Sequence, residues 1–158
     1  MKKILASVLV ASAFGIATSD AANTSGQFNV NITLNSTCSL SAITAVAFTY
    51  TSLQGAVQNS TAGGYTVTCT NSLPYTFGLQ AGTGAATPPG AATITVTDNA
   101  VNLQYVLGTS AAGGTGNGAA QSYNITGTMA ASQSGTCGVA SCTNAAATNK
   151  TQTLILNF

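Results

Sequence analysis

The 158-residue sequence predicts an all-β fold, and three observations carry that expectation. Apolar and polar residues alternate with period two in several short windows rich in β-branched and aromatic side chains. These windows are separated by stretches dense in Gly, Pro, Asn and Ser, the residues that build turns. Helical periodicity is confined to the first residues, although the Ala-rich pieces near Ala111 and Ala145 have room for a turn of helix. Many short strands at such spacing form a β-sandwich or a barrel.

The elements follow in chain order. Lys2 and Lys3 precede an apolar run from Ile4 to Ile16 that is too short to span a bilayer, and small residues come next. Residues 1–22 therefore read as a secretory signal peptide; cleavage after Ala21 puts Ser19 at the minus-three position. The alternative, an N-terminal membrane anchor, lacks a stop-transfer pattern behind it. Phe28, Val30, Ile32 and Leu34 then alternate with Asn29, Asn31, Thr33 and Asn35, which predicts a strand with one apolar face. Further strands are expected at Ala45–Tyr50, Tyr65–Cys69, Tyr75–Leu79, Ile94–Val96, Val101–Tyr105 and Tyr123–Ile125. The last strand ends the chain. Leu154, Leu156 and Phe158 share one of its faces with Gln152 in phase before them, and Ile155 points the other way. Gln80–Ala92 and Gly108–Gly118 are loops by their Gly and Pro content.

Composition limits the chemistry severely. The charged residues are Lys2, Lys3, Asp20, Asp98 and Lys150, and the chain has no His, Glu or Arg. A Ser-His-Asp triad is impossible, a Ser-Lys dyad rests on Lys150 alone, and paired carboxylates for glycoside cleavage are lacking. The sequence thus predicts no enzyme, no catalytic residue, no cofactor and no metal site. Without clustered Lys or Arg it offers no patch for nucleic acid, and the Gly-rich stretch at 108–118 lacks the Gly-Lys-Ser or Gly-Lys-Thr of a nucleotide loop. Asp98 reads as a turn residue and Lys150 as a solvated residue at strand entry.

Four cysteines, Cys38, Cys69, Cys137 and Cys142, form an even set in an exported chain, so two disulfides are expected. Three pairings are possible. The short spacing from Cys137 to Cys142 favours a local staple and leaves Cys38 with Cys69; a zinc site is disfavoured because those two lack nearby ligand partners.

The order of these features resembles the spore coat protein U domain family, which includes the pilin subunits of archaic chaperone-usher pili. The residues that carry the resemblance are Gly26-Gln27-Phe28-Asn29-Val30, Thr37-Cys38-Ser39-Leu40, Val67-Thr68-Cys69-Thr70, Pro74-Tyr75-Thr76-Phe77 followed by Gly82, Leu103-Gln104-Tyr105, Ile125-Thr126-Gly127 and Thr153 to Phe158. The segment from Val67 to Gly82 is the most specific of them. Where members of the family often have Tyr and Asp before the last strand, this chain has Asn149, Lys150 and Gln152.

The resemblance implies an incomplete immunoglobulin-like β-sandwich completed in trans by a donor strand, with residues 23–36 as the donor extension and 37–158 as the sandwich. It implies delivery by a periplasmic chaperone and an outer-membrane usher, and a cell-surface filament of copies of this chain with other pilus subunits, serving adhesion and biofilm formation. Phe28, Val30, Ile32 and Leu34 are then the donor residues, while Leu154, Leu156 and Phe158 form the groove edge that the chaperone contacts. The residues support this independently: burial of four such side chains at roughly 1.5 to 3 kcal/mol each comes to on the order of 6 to 12 kcal/mol, before ladder hydrogen bonds and ordering costs. Three other readings share the pattern. Gln27–Asn35 is the first strand of a complete sandwich; the domain is an adhesin that binds carbohydrate or a surface through its Thr, Asn and Gly-rich loops; or it is a coat protein of the same fold.

Overall fold

The computed structural model describes residues 23–158, so the signal-peptide reading of residues 1–22 lies outside the described residues. The chain divides into two units, residues 1–33 and 34–158. The described part of the first unit, residues 23–33, contains no strand and its side chains are exposed. Leu34 to Ser36 likewise lie outside any strand. The strand expected from Phe28 to Leu34 is therefore not formed: its alternation is present in the sequence, but no ladder partner is supplied.

The second unit is built of nine strands: β1 (Cys38–Leu40), β2 (Gln58–Asn59), β3 (Gly63–Cys69), β4 (Pro74–Gln80), β5 (Thr93–Thr97), β6 (Gln104–Thr109), β7 (Gly113–Thr115), β8 (Ala120–Met129) and β9 (Thr153–Asn157). All pairings are antiparallel. One sheet has the order β1-β3-β8-β6-β5, with β2 beside the far part of β8; the other is β7-β4-β9. No helix occurs among the described residues, and the all-β sandwich expected from the alternation is the observed fold.

Alternation places the core between the sheets. Tyr65, Val67 and Cys69 of β3, Tyr75, Phe77 and Leu79 of β4, and Ile94 and Val96 of β5 are buried, joined by Leu107 of β6 and Ile125 of β8. Their polar neighbours Thr66, Thr76 and Thr95 face outward. Phe77 lies edge-on to Tyr65, Tyr75 and Tyr123, with centroids 4.8 to 5.5 Å away, a geometry that the ring quadrupoles favour. Burial pushes the Tyr65 phenol up to about 12, with Tyr123 adding to the effect.

Several boundaries differ from expectation. The expected strand at Ala45–Tyr50 is extended, with Val46, Phe48 and Tyr50 half-buried on alternate positions, yet it forms no ladder. It leaves β3 after the bonds Thr44 N–H to Gly64 O (3.0 Å) and Thr61 N–H to Ala47 O (2.8 Å), and Phe48 then crosses Gly127, whose missing Cβ makes the room. Val101–Asn102 are not strand, because the Asp98 carboxylate accepts the Ala100 and Val101 amides (2.9 and 3.1 Å) and closes a turn there. β6 therefore starts at Gln104. The Gly108–Gly118 loop contains β7, where Gly113 lets the backbone pass so close to Tyr75 O that a Cβ would clash.

The sandwich has two poles. At the first, Cys38 faces Cys69 across β1 and β3 with their sulfurs bonded, the Thr70–Leu73 turn follows, and Ala120 starts β8 opposite Thr68. At the second, Met129 ends β8, the turn around Leu53 bonds to Gln133, and the long connection from Ala130 to Gln152 begins. The ten residues of β8 separate the poles by about 33 Å.

Candidate functional site

A groove runs along one edge of the sandwich, and three elements make it. β9 is the end strand of its sheet, so its outer N–H and C=O groups have no strand partner among the described residues. The extended segment from Ile43 to Tyr50 stands opposite, and between these walls the other sheet shows its inner face as a floor of Tyr105, Leu107 and Ile125. This first stretch encloses about 480 Å³. It meets a second stretch of about 380 Å³ at Val46, Phe48, Tyr105 and Asn144, and that one leads past Tyr50, Val101 and Leu103. A third, of about 530 Å³, continues between Thr51–Ser52 and Gly135–Cys142 to the second pole.

Polar groups brace the walls along β9 and line much of the second and third stretches. Gln152 accepts the Gly82 amide at 2.9 Å and donates to the Tyr105 hydroxyl at 3.1 Å and to Asn149 O at 2.7 Å, tying the lead-in of β9 to both sheets. Burial raises the Tyr105 phenol, the Gln152 bond lowers it and the Asp98 charge raises it, with a net upward shift. Asp98 is only 2% exposed, and its second carboxylate oxygen accepts the Asn144 amide at 3.1 Å. It is thus more than turn punctuation, since it holds the Ala130–Gln152 connection against the β5–β6 turn. Thr148 and Asn149 add bonds to Asn99 and Thr97. Lys150 is exposed and donates to Ala145 O at 3.1 Å. Such a site offers apolar surface and a backbone edge, the two things an extended peptide needs for strand addition.

The expected site residues distribute unequally. Leu154 and Leu156 are half-buried and pack on the core from β9, and Leu154 lines the groove, while Ile155 on the opposite face is buried. That face is covered: Ile155 stands beside Gly78 of β4, and Pro89–Gly90 cross over Gly78 so closely that a Cβ there would clash with Pro89 O. Phe158 falls beyond the end of β9 and is 62% exposed at the first pole. Phe28, Val30, Ile32 and Leu34 are between 69% and 86% exposed, so most of their apolar surface remains in water. Cys137 and Cys142 are bonded to each other, and their loop lines the third stretch. Sequence reasoning missed Phe48, Tyr105, Asn144 and Gln152 as groove residues. The phase of Gln152 with Leu154 and Leu156 was the available signal for one of them; Asn144 lies in a connection without periodicity and gave none.

Fold and site together define an open-edged β-sandwich with a slot beside an unpaired strand, apolar along β9 and more polar toward the second pole. A family model for the Spore Coat Protein U domain matches residues 24–154, and the chain belongs to that family, a family of structural pilin and coat subunits. No curated protein and no solved structure matches the chain. Two disulfides suit the oxidising compartment that such exported subunits reach.

Proposed function

We propose that the chain is a structural pilin subunit that polymerises by donor-strand exchange, residues 23–36 of one copy filling the groove of another. The observation that carries this reading is the open groove beside β9. An unpaired strand edge over an apolar floor is costly in water, and a strand from a second copy supplies both ladder bonds and apolar cover. The tract reading Phe-x-Val-x-Ile-x-Leu has the matching pattern and leaves its apolar surface in water. Before assembly a periplasmic chaperone shields the same groove through Leu154 and Leu156, and an outer-membrane usher passes the subunit into the growing cell-surface fibre. A head-to-tail contact of this kind does not close on itself, so the product is a filament.

Ile32→Asp tests the reading, since it puts a charge where the groove wants an apolar side chain. The expected outcome is loss of filaments from sheared cell-surface material under the electron microscope, with the chaperone-bound subunit still soluble. Filaments of normal yield from this variant would refute it.

A further inference from the structure

The linker between the donor tract and its own sandwich is short. Leu34 is the last residue of the apolar alternation, and Thr37 is already fixed: its N–H donates to Thr70 Oγ1 and its C=O accepts the Thr70 amide, both at 3.0 Å. The steps from Leu34 to Thr37 span at most about 10 Å. A copy whose tract fills a groove up to Leu34 must therefore press its first pole, where Thr37 enters, against the mouth through which the tract passes.

A donor tract can run into the groove from either pole, and the two directions have different consequences. Entry from the first pole would set first pole against first pole, a two-fold arrangement that closes as a dimer. Entry from the second pole sets first pole against second and propagates. The exposed apolar residues favour the second. Leu53 and Val139 flank the third stretch of the groove and are 67% and 71% exposed. Leu53 moreover sits at φ 61°, a left-handed conformation that is costly for a leucine, and no burial among the described residues offsets it. The other pole has an exposed apolar residue as well: Phe158, 62% exposed, follows β9, whose Asn157 pairs with Thr76 three residues after the Thr70–Leu73 turn. No charged residue occurs in 51–57, 70–73 or 131–142 to oppose the contact.

We propose that the second pole, formed by the Leu53 turn and the Cys137–Cys142 loop, is the seat for the sandwich of the neighbouring copy, which brings its Phe158 and its Asn71–Ser72 turn against Leu53 and Val139. The proposal rests on the donor-strand reading and adds to it a second contact and a direction. Leu34 enters at the second pole and Phe28 lies toward the first. β9 runs from the second pole to the first, because Thr153 pairs with Gln80 and Asn157 with Thr76, so the inserted strand is antiparallel to β9.

The test uses the full chain exported and assembled with Leu53 replaced by a photo-reactive phenylalanine analogue, followed by mass spectrometry of cross-linked peptides from sheared filaments. The expected product joins position 53 to the 70–73 turn or to Phe158 of another copy, and Leu53→Asp with Val139→Asp removes the rod's fixed subunit orientation in electron micrographs while strand-linked oligomers persist in cold detergent. Filaments that give no such cross-link, or one joining position 53 to a second-pole residue of another copy, would overturn the seat and leave the donor strand standing. Absence of strand-linked oligomers from the unaltered chain would overturn the donor-strand reading itself, and a closed dimer would overturn the direction.

Discussion

Replacing Asp98 by alanine removes the acceptor of three hydrogen bonds, from the Ala100 and Val101 amides at 2.9 and 3.1 Å and from Asn144 at 3.1 Å. Bonds to a charged group contribute about 1.5 to 3 kcal/mol each, and donors left buried without partners add a desolvation cost. Because the three share one carboxylate their contributions are not additive, and a total loss on the order of 3 to 5 kcal/mol is expected for Asp98→Ala. That is a large part of the roughly 5 to 15 kcal/mol by which a domain is stable. Asp98→Asn keeps an oxygen for the two backbone amides, and the Asn144 carboxamide can turn over to accept from the new one, so only charge assistance is lost, about 1 kcal/mol. The chain has no Trp, so tyrosine fluorescence is the probe for urea unfolding of the oxidised chain. A double-mutant cycle with Asn144→Ala then isolates the bond that fixes the groove wall, with an expected coupling of about 1 to 2 kcal/mol. Additive losses, or an Asp98→Ala chain within about 0.5 kcal/mol of its parent, would show that the carboxylate does not hold the Ala130–Gln152 connection.

Gly78→Val pushes a side chain into Pro89 O and Gly90, and a loss of about 2 to 4 kcal/mol in urea unfolding is expected as the cover over Ile155 is lifted. Replacing Cys38 and Cys69 by serine opens a loop with a separation of 31 residues and lowers stability by about 3 to 4 kcal/mol on the chain-entropy account. The same exchange at Cys137 and Cys142, separated by 5, lowers it by only about 2 kcal/mol; a reversed order in thermal melts would contradict that account. Tyr65 and Tyr75 are raised from 10.0 to about 12, chiefly by burial. The folded state thus favours the neutral phenols, their contribution is complete below pH 10 and is lost as pH climbs toward 12, and Tyr65→Phe in a pH series of melts flattens that decline.

The central strands were legible because their two faces meet different surroundings. Tyr65, Val67 and Cys69 face the core while Thr66 and Thr68 do not, so period two is written directly into β3. β1 and β2 escaped notice for the opposite reason: Cys38–Leu40 and Gln58–Asn59 bury little, and they pair because β3 and β8 offer edges, which residue type does not encode. The Ala45–Tyr50 segment shows that alternation reports one-sided burial rather than a ladder, since Val46 and Phe48 face the groove without strand partners. Of the groove only the β9 edge was legible, through the family resemblance; its floor was not. Tyr105 and Leu107 come from β6, Ile125 from β8 and Leu154 from β9, brought together by topology alone.

The tract from Phe28 to Leu34 presents the converse case. Its period-two pattern is as regular as that of β3, yet its apolar side chains are left largely in water and it has no ladder partner among the described residues. A pattern that its own fold does not use is a cost: exposed Phe, Val, Ile and Leu in succession promote association, and a protein with net charge +1 has little repulsion to prevent it. The groove beside β9 has the opposite imbalance, a floor and an edge with no strand to cover them. Each defect is a liability in a single subunit, and in the proposed strand exchange each removes the other. The same scarcity of charge that in the sequence argues against catalysis and nucleic-acid binding therefore becomes useful in the proposed assembly. Lys or Glu on the tract or along β9 would protect the monomer, as charges protect ordinary sheet edges, and would by the same physics block the strand exchange on which the proposed filament depends.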